Sequence, residues 1–251
     1  MNFDNLKLRP SEVGKICAGI AKPSLTETQK EKMLELANKP NRTDKQEIAY
    51  QQLLAKNAEV PTLSAGAITY VHELVDMKVY GYDIELDNRY VNKGISCENE
   101  AIQFLNENLF TSYSKFPSGK YENDWLISSG CDVIDNGIVR DIKCPWSKKT
   151  HPKRYEDGLD PLYEWQLRAY MMLFDCHTAY LDYVLIDTPL ELMMYESESL
   201  HDMSNLTYEQ RHTSIMYKRD FELEGVIKKG VELARIEAKK YFETLKKRTN
   251  Y

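Results

Sequence analysis

Apolar positions recur along this chain with two different periods, and the change of period divides it. Through the first 90 residues they return every three to four positions, the spacing of one helix face. Ser11, after Pro10, reads as the N-cap of a helix through Val13 and Ile16, and Thr26-Glu27-Thr28-Gln29 as the capped start of a second. Lys39-Pro40-Asn41-Arg42 breaks that helix, and periodicity resumes from Asp44 to Asn57. Ser64 caps a further helix with Ala67, Val71, Val75 and Val79 on its apolar face. Val91–Ser96 then leads into a helix striped by Ala101, Ile102, Leu105 and Leu109. Glu98 falls in its expected first turn, where a carboxylate complements the helix dipole.

Past that helix the period drops to two. Strands are expected near Ser112–Phe116, over Trp125–Ser129 continuing into Cys131–Ile134, and over Ile138–Lys143. Leu162–Phe174 returns to helical spacing, and Thr178–Ile186 alternates as an aromatic-rich strand. From Asn205 the chain reads as charged helix to its end, with an apolar stripe over Glu222–Lys247. This order predicts a mixed α/β (α+β) fold, a central mixed β-sheet flanked by helices. The expected organisation is one domain over 1–251: a helical N-terminal part (1–90), a core (91–190) and a helical C-terminal part (191–251).

Within the core, Gly130–Lys143 carries the chemistry. Asn136-Gly137 between apolar runs is among the strongest short-range signals of a β-hairpin. Asp141 and Lys143 stand two apart on the second strand and share a face, while Ile142 points the other way. Asp132, on the partner strand and read as lying close to the turn, converges with Asp141. Two carboxylates and an ammonium on an apolar hairpin are costly to gather without a use, and a divalent cation is the obvious use. Asp135 is read as a turn residue and Glu100 as solvated.

Composition narrows the setting. With 42% hydrophobic and 29% charged residues the chain has material for an ordinary globular core, and no apolar run reaches the length of a membrane span. The N-terminus lacks the layout of a signal peptide. Five scattered cysteines without a Cys-x-x-Cys pair point to free thiols in a reducing cytoplasm, not to disulfides or zinc. A net charge of −6 argues mildly against non-specific nucleic-acid binding. Locally, however, Lys148, Lys149, Lys153 and Arg154 form a basic loop after the hairpin, either a phosphate track beside the acidic site or a solvated loop.

The residues resemble a known family. Asp132, eight intervening residues and Asp141-x-Lys143 match the signature of the PD-(D/E)XK nuclease superfamily, whose core is restriction-endonuclease-like. Lys93-Gly94-x-x-x-Glu98 looks like the glutamate-bearing helix of phage lambda-type (YqaJ-like) exonucleases, and Gln166-x-x-x-Tyr170 like the Q-x-x-x-Y motif of RecB-like members. Four elements in order over roughly residues 90–190 are specific where Asp-x-Lys alone is not. Cys131 replaces the proline that often precedes the first aspartate, and Asp141 stands where glutamate is common.

The resemblance implies a Mg²⁺-dependent deoxyribonuclease, Mn²⁺ substituting, with Glu98, Asp132, Asp141 and the Ile142 carbonyl as ligands. Lys143 would orient the attacking water, and Gln166 and Tyr170, one helical turn apart, would orient the lysine or touch DNA. An iron–sulfur cluster is not expected, because no cysteine follows Cys176. Arg9 and Ser11 would receive a terminal 5′ phosphate, although a simple helix cap explains them equally well. The expected partners are double-stranded DNA ends and a single-strand annealing protein, with a homo-oligomeric ring such as a trimer in a phage-infected or prophage-bearing cytoplasm. Two other readings stand beside the 5′→3′ exonuclease: a structure-specific endonuclease or RecB-like repair nuclease, and a catalytically silent DNA-binding or assembly module.

Overall fold

The computed structural model describes residues 2–20, 25–57, 61–84, 87–193 and 195–249. Among them, helices precede any strand: α1 (Pro10–Cys17), α2 (Glu27–Ala37), α3 (Asp44–Asn57), α4 (Ala65–Tyr80) and α5 (Arg89–Leu109). Thr26 and Ser64 cap α2 and α4 as the sequence predicts, accepting from the Gln29 and Ala67 N–H groups at 3.2 Å. Two helix starts differ from expectation. Arg9, not Ser11, is the N-cap of α1, because Pro10 has no N–H to lose at the first helical position. Glu12 then accepts from the Arg9 N–H at 2.8 Å. Helix α5 begins at Arg89, where the Asn88 side chain accepts from the N–H groups of Tyr90 and Val91. Val91–Ser96 therefore lies inside the helix, and Glu98 lies well past its first turn, where the dipole argument lapses.

The β region is also more broken than the alternation suggested. Residues 112–116 are not a strand; the Phe116 N–H donates to the Asp132 carbonyl at 2.8 Å, and the Tyr113 backbone bonds with the Asn106 side chain of α5. The short strands β1 (Tyr121–Glu122) and β2 (Ile127–Ser128) pair with each other outside the larger sheet, and the Ile127 N–H also donates to the Leu8 carbonyl at 3.0 Å. Gly130, at φ 143°, separates β2 from β3 (Val133–Asp135), so Asp132 sits at the entry to β3 and not within it. The hairpin to β4 (Ile138–Lys143) forms as predicted, with Asn136 and Gly137 both at positive φ, 48° and 73°, the requirement of a type I′ turn.

Helix α6 (Pro161–Phe174) crosses over to β5 (Thr178–Val184), which lies parallel to β4. After the short helices α7 (Leu190–Met193) and α8 (Tyr208–Arg211), β6 (His212–Lys218) pairs antiparallel with β5, and α9 (Phe221–Thr249) ends the chain. Strand β6 falls where the sequence reads as helix. It is an edge strand on which only Ile215 is fully buried, so its alternation is faint. The larger sheet is mixed, in the order β3-β4-β5-β6, and the expected α/β architecture with helical elaborations is what the chain adopts.

Three packed clusters hold this arrangement. Val139, Leu181 and Ile215 on one sheet face meet Leu167, Tyr170 and Met171 of α6. Val133, Ile142 and Val184 on the other face meet Cys97, Ala101 and Leu105 of α5. Helices α1, α4 and α9 close over Trp165 and Ala169, on the far side of α6. Helix α6 is thus clamped between sheet and helical layer, and α1 approaches it so closely that a Cβ on Gly14 would stand 2.9 Å from Leu162. Among the described residues, no helix is long and apolar enough to cross a membrane.

Candidate active site

Hairpin register brings the two aspartates together. Val133 pairs with Arg140, so one further step places Asp132 opposite Asp141 at the open end of the hairpin, away from the turn and not close to it as the sequence reading had it. Asp132 Oδ2 accepts from the Ile142 N–H at 2.5 Å, a bond that takes the place of the next ladder contact. Asp141 is 2% exposed. Its Oδ1 accepts from Gln166 Nε2 at 3.0 Å, while Lys143 Nζ lies 2.8 Å from its Oδ2. The Lys143 ammonium is thus the partner of this otherwise buried Asp141 oxygen.

Gln166 and Tyr170 share one face of α6, and Gln166 Nε2 also donates to the Tyr170 hydroxyl at 3.4 Å. Burial and the nearby Asp141 carboxylate push the Tyr170 phenol above its ordinary value, so it keeps its proton. The sequence reading missed Tyr163, whose ring centre lies 4.7 Å from Lys143 Nζ. Its position three residues before Gln166 on the same helical stripe was the available signal.

Glu98 approaches the group from α5 but is held by Lys115 at 2.9 Å, another residue not anticipated. Electrostatics mark the cluster as short of positive charge. Burial, then Asp141 and at longer range Glu98, push the Asp132 carboxyl up to about 7 against the opposing pull of the Ile142 N–H and Lys143. Burial disfavours the Lys143 ammonium, but the carboxylates of Asp141 and Asp132 more than reverse this and hold it above the usual lysine range.

As the side chains stand, no three His, Cys, Asp or Glu groups among the described residues converge into a ready ligand cage. The donor chemistry nonetheless fits a hard divalent cation. Every candidate ligand is oxygen, and burial together with the neighbouring Asp141 charge raises the Asp132 carboxyl, a crowding that a bound cation would relieve. The Glu98 carboxylate is meanwhile paired with Lys115, a half-exposed side chain.

A cleft of about 1110 Å³ opens beside this group, and Tyr170 belongs to its wall. Arg9 and Ser11 line it, from the start of α1, together with Lys7, Lys78 and Lys120. The sequence-predicted basic loop does not line this cleft. Lys148 donates to the Ser199 carbonyl, Lys153 to the carbonyls of Lys148 and His151, and Arg154 to Asp157, leaving Lys149 exposed. Self-contained bonding of this kind favours the solvated-loop reading for those cations.

This architecture is the fold of phage-type exonucleases. The crystal structure of a phage-related exonuclease from Haemophilus somnus 129PT superposes with a TM-score of 0.73 at 25% identity, covering 96% of this chain and 97% of that one. An alkaline exonuclease from Laribacter hongkongensis, LHK-Exo, superposes at 0.59 with 14% identity, over 97% and 93% of the two chains. LHK-Exo in complex with dAMP gives 0.51 and 17%, over 96% of each. No protein-family model matches the chain, and no curated protein does.

Proposed function

We propose that this protein is a divalent-metal-dependent deoxyribonuclease that hydrolyses phosphodiester bonds from the ends of duplex DNA. The observation that carries this reading is the convergence of Asp132, Asp141, Lys143 and Gln166 at one sheet end, reaching through Tyr170 into a cleft where Lys7, Arg9, Lys78 and Lys120 stand among the acids Glu12, Asp83 and Glu122. Likeness to structures of exonucleases supports it. Asp132, Asp141, the Ile142 carbonyl and Glu98, once exchanged from Lys115, are the groups that would hold Mg²⁺ or Mn²⁺. A bound ion supplies water activation near neutral pH and charge neutralisation at the phosphate.

The chain's own residues do the rest. Lys143, charged and braced between Asp141 and the Tyr163 ring, orients water and offsets charge growing on the phosphate in the transition state. Gln166 fixes the Asp141 carboxylate in one orientation. Tyr170 offers a protonated phenol at the cleft wall, suited to a phosphate oxygen. Arg9, Ser11 and the first N–H groups of α1 suit a terminal phosphate, which favours digestion from the 5′ end. A role in recombination beside an annealing protein, and assembly into a ring around the product strand, extend the same reading.

Digestion of end-labelled linear duplexes and covalently closed circles tests it, with Mg²⁺ and with chelator. Linear DNA is expected to disappear from its ends only when metal is present, and Asp141→Asn to abolish this. Cutting of closed circles would move the assignment to an endonuclease. Metal-dependent loss of DNA that survives Asp141→Asn would refute the site.

A further inference from the structure

We propose that Lys93 is a positioning residue, a clamp that fixes the distance between Glu98 on α5 and the Asp141–Lys143 end of β4; the inference rests on the nuclease reading. Lys93 is completely buried. Its Nζ donates to two consecutive carbonyls, Pro145 at 2.8 Å and Trp146 at 3.0 Å. These carbonyls follow Lys143 by two and three residues, and Glu98 follows Lys93 by five on the same helix. One side chain therefore ties together the two elements that carry opposite sides of the site.

The tied segment is itself held from behind. Thr188 Oγ1 donates to the same Trp146 carbonyl at 3.0 Å, and Trp146 Nε1 donates to Glu196 Oε2 at 3.0 Å. Glu196 in turn pairs at 2.8 Å with Arg89, the first residue of α5. The Pro145–Trp146 segment is thus braced both by the helix and by the chain beyond β5.

A buried ammonium is a poor way to fill a core. Burial pulls its pKa below the usual lysine range, and among the described residues no carboxylate hydrogen-bonds to it. Methionine would fill the same space without that cost. What methionine does not provide is direction. The apolar face of α5, Cys97, Ala101, Ile102 and Leu105, packs on the sheet without directional contacts, whereas two hydrogen bonds to adjacent carbonyls are directional and fix the helix along the strand. Metal ligands need their spacing held within a few tenths of an ångström, and a helix-borne carboxylate inherits its spacing from its helix.

Calorimetric titration of Mn²⁺ into wild type, Lys93→Met and Thr188→Val tests the clamp, alongside metal-free thermal unfolding and the Mg²⁺ dependence of DNA hydrolysis. Lys93→Met is expected to weaken Mn²⁺ binding about 10-fold, the range of residues that orient metal ligands. The half-saturating Mg²⁺ concentration should rise by the same factor. Thr188→Val, which removes the brace on the shared carbonyl together with the bond to the His201 ring, should shift both in the same direction by a smaller factor, and it decides the matter if Lys93→Met does not fold. A lowered unfolding temperature with unchanged metal affinity in either folded variant overturns the clamp while leaving the nuclease reading intact. Wild type that neither takes up Mn²⁺ nor cuts DNA brings down the nuclease reading, and the clamp with it.

Discussion

Replacing Asp132 by Asn should stabilise this protein and inactivate it at once. In the folded chain the Asp132 carboxyl is raised from 3.8 to about 7, chiefly by burial and secondly by Asp141. The folded state therefore holds a proton that the unfolded chain has released. The resulting stability is fully present below pH 4 and is lost as pH rises through 7. At about 1.4 kcal/mol per pH decade, the penalty at pH 8 is roughly 2–4 kcal/mol. Asparagine carries no charge at any pH, and its carbonyl oxygen can still accept from the Ile142 N–H. Metal-free Asp132→Asn should then unfold about 4–16 °C above wild type at pH 8 and level with it near pH 4. Added Mg²⁺ should raise the wild-type midpoint by mass action and narrow the gap, since a bound cation replaces the proton. DNA hydrolysis by the variant should fall about 10²–10³-fold or more. Scanning calorimetry across pH 4–8, with and without Mg²⁺, reads all of this. A variant less stable than wild type at pH 8 without metal refutes the argument from crowded carboxylates.

Other perturbations probe separate parts of the molecule. Gln166→Leu removes the donor on Asp141 Oδ1 and should cut kcat about 10²-fold with KM for DNA little changed, in steady-state digestion of a linear duplex. Arg9→Ala should raise KM and erase any preference for 5′-phosphorylated over 5′-hydroxyl ends; a preference that survives places the terminal phosphate elsewhere. Asp182 accepts from Arg140 at 2.6 Å, from Ser214 at 2.7 Å and pairs with His212 at 2.9 Å, all at a fully buried position. Asp182→Ala strands those partners and should cost about 3–5 kcal/mol in urea unfolding.

Much of the candidate site is local enough to be read without a structure. The Asn136-Gly137 turn sets the hairpin register, and register alone puts Asp132 opposite Asp141. The four-residue spacing of Gln166 and Tyr170 places both on one helix face, and burial of that face against the sheet follows from its apolar neighbours Leu167 and Met171. Periodicity likewise located α2, α3, α4, α6 and the bulk of α9, where the caps and breakers are strong.

Apart from two helix starts and the placing of Asp132 near the turn, what failed depended on partners distant in sequence. Strand β6 buries too few residues to alternate visibly, and it is a strand because β5 offers it an open edge. Residues 112–116 have strand composition but no neighbour to complete a ladder. Tyr163 and Lys115 reach the site only because the crossover of α6 and the path of the chain after α5 bring them there. The same holds for the cleft, which joins Arg9 and Ser11 to Tyr170 across some 160 intervening residues. The amino-acid sequence by itself determined which groups could do chemistry and how neighbours on one element face one another. Only the tertiary structure decided which elements share a surface, because packing free energy is summed over contacts that local patterning does not encode.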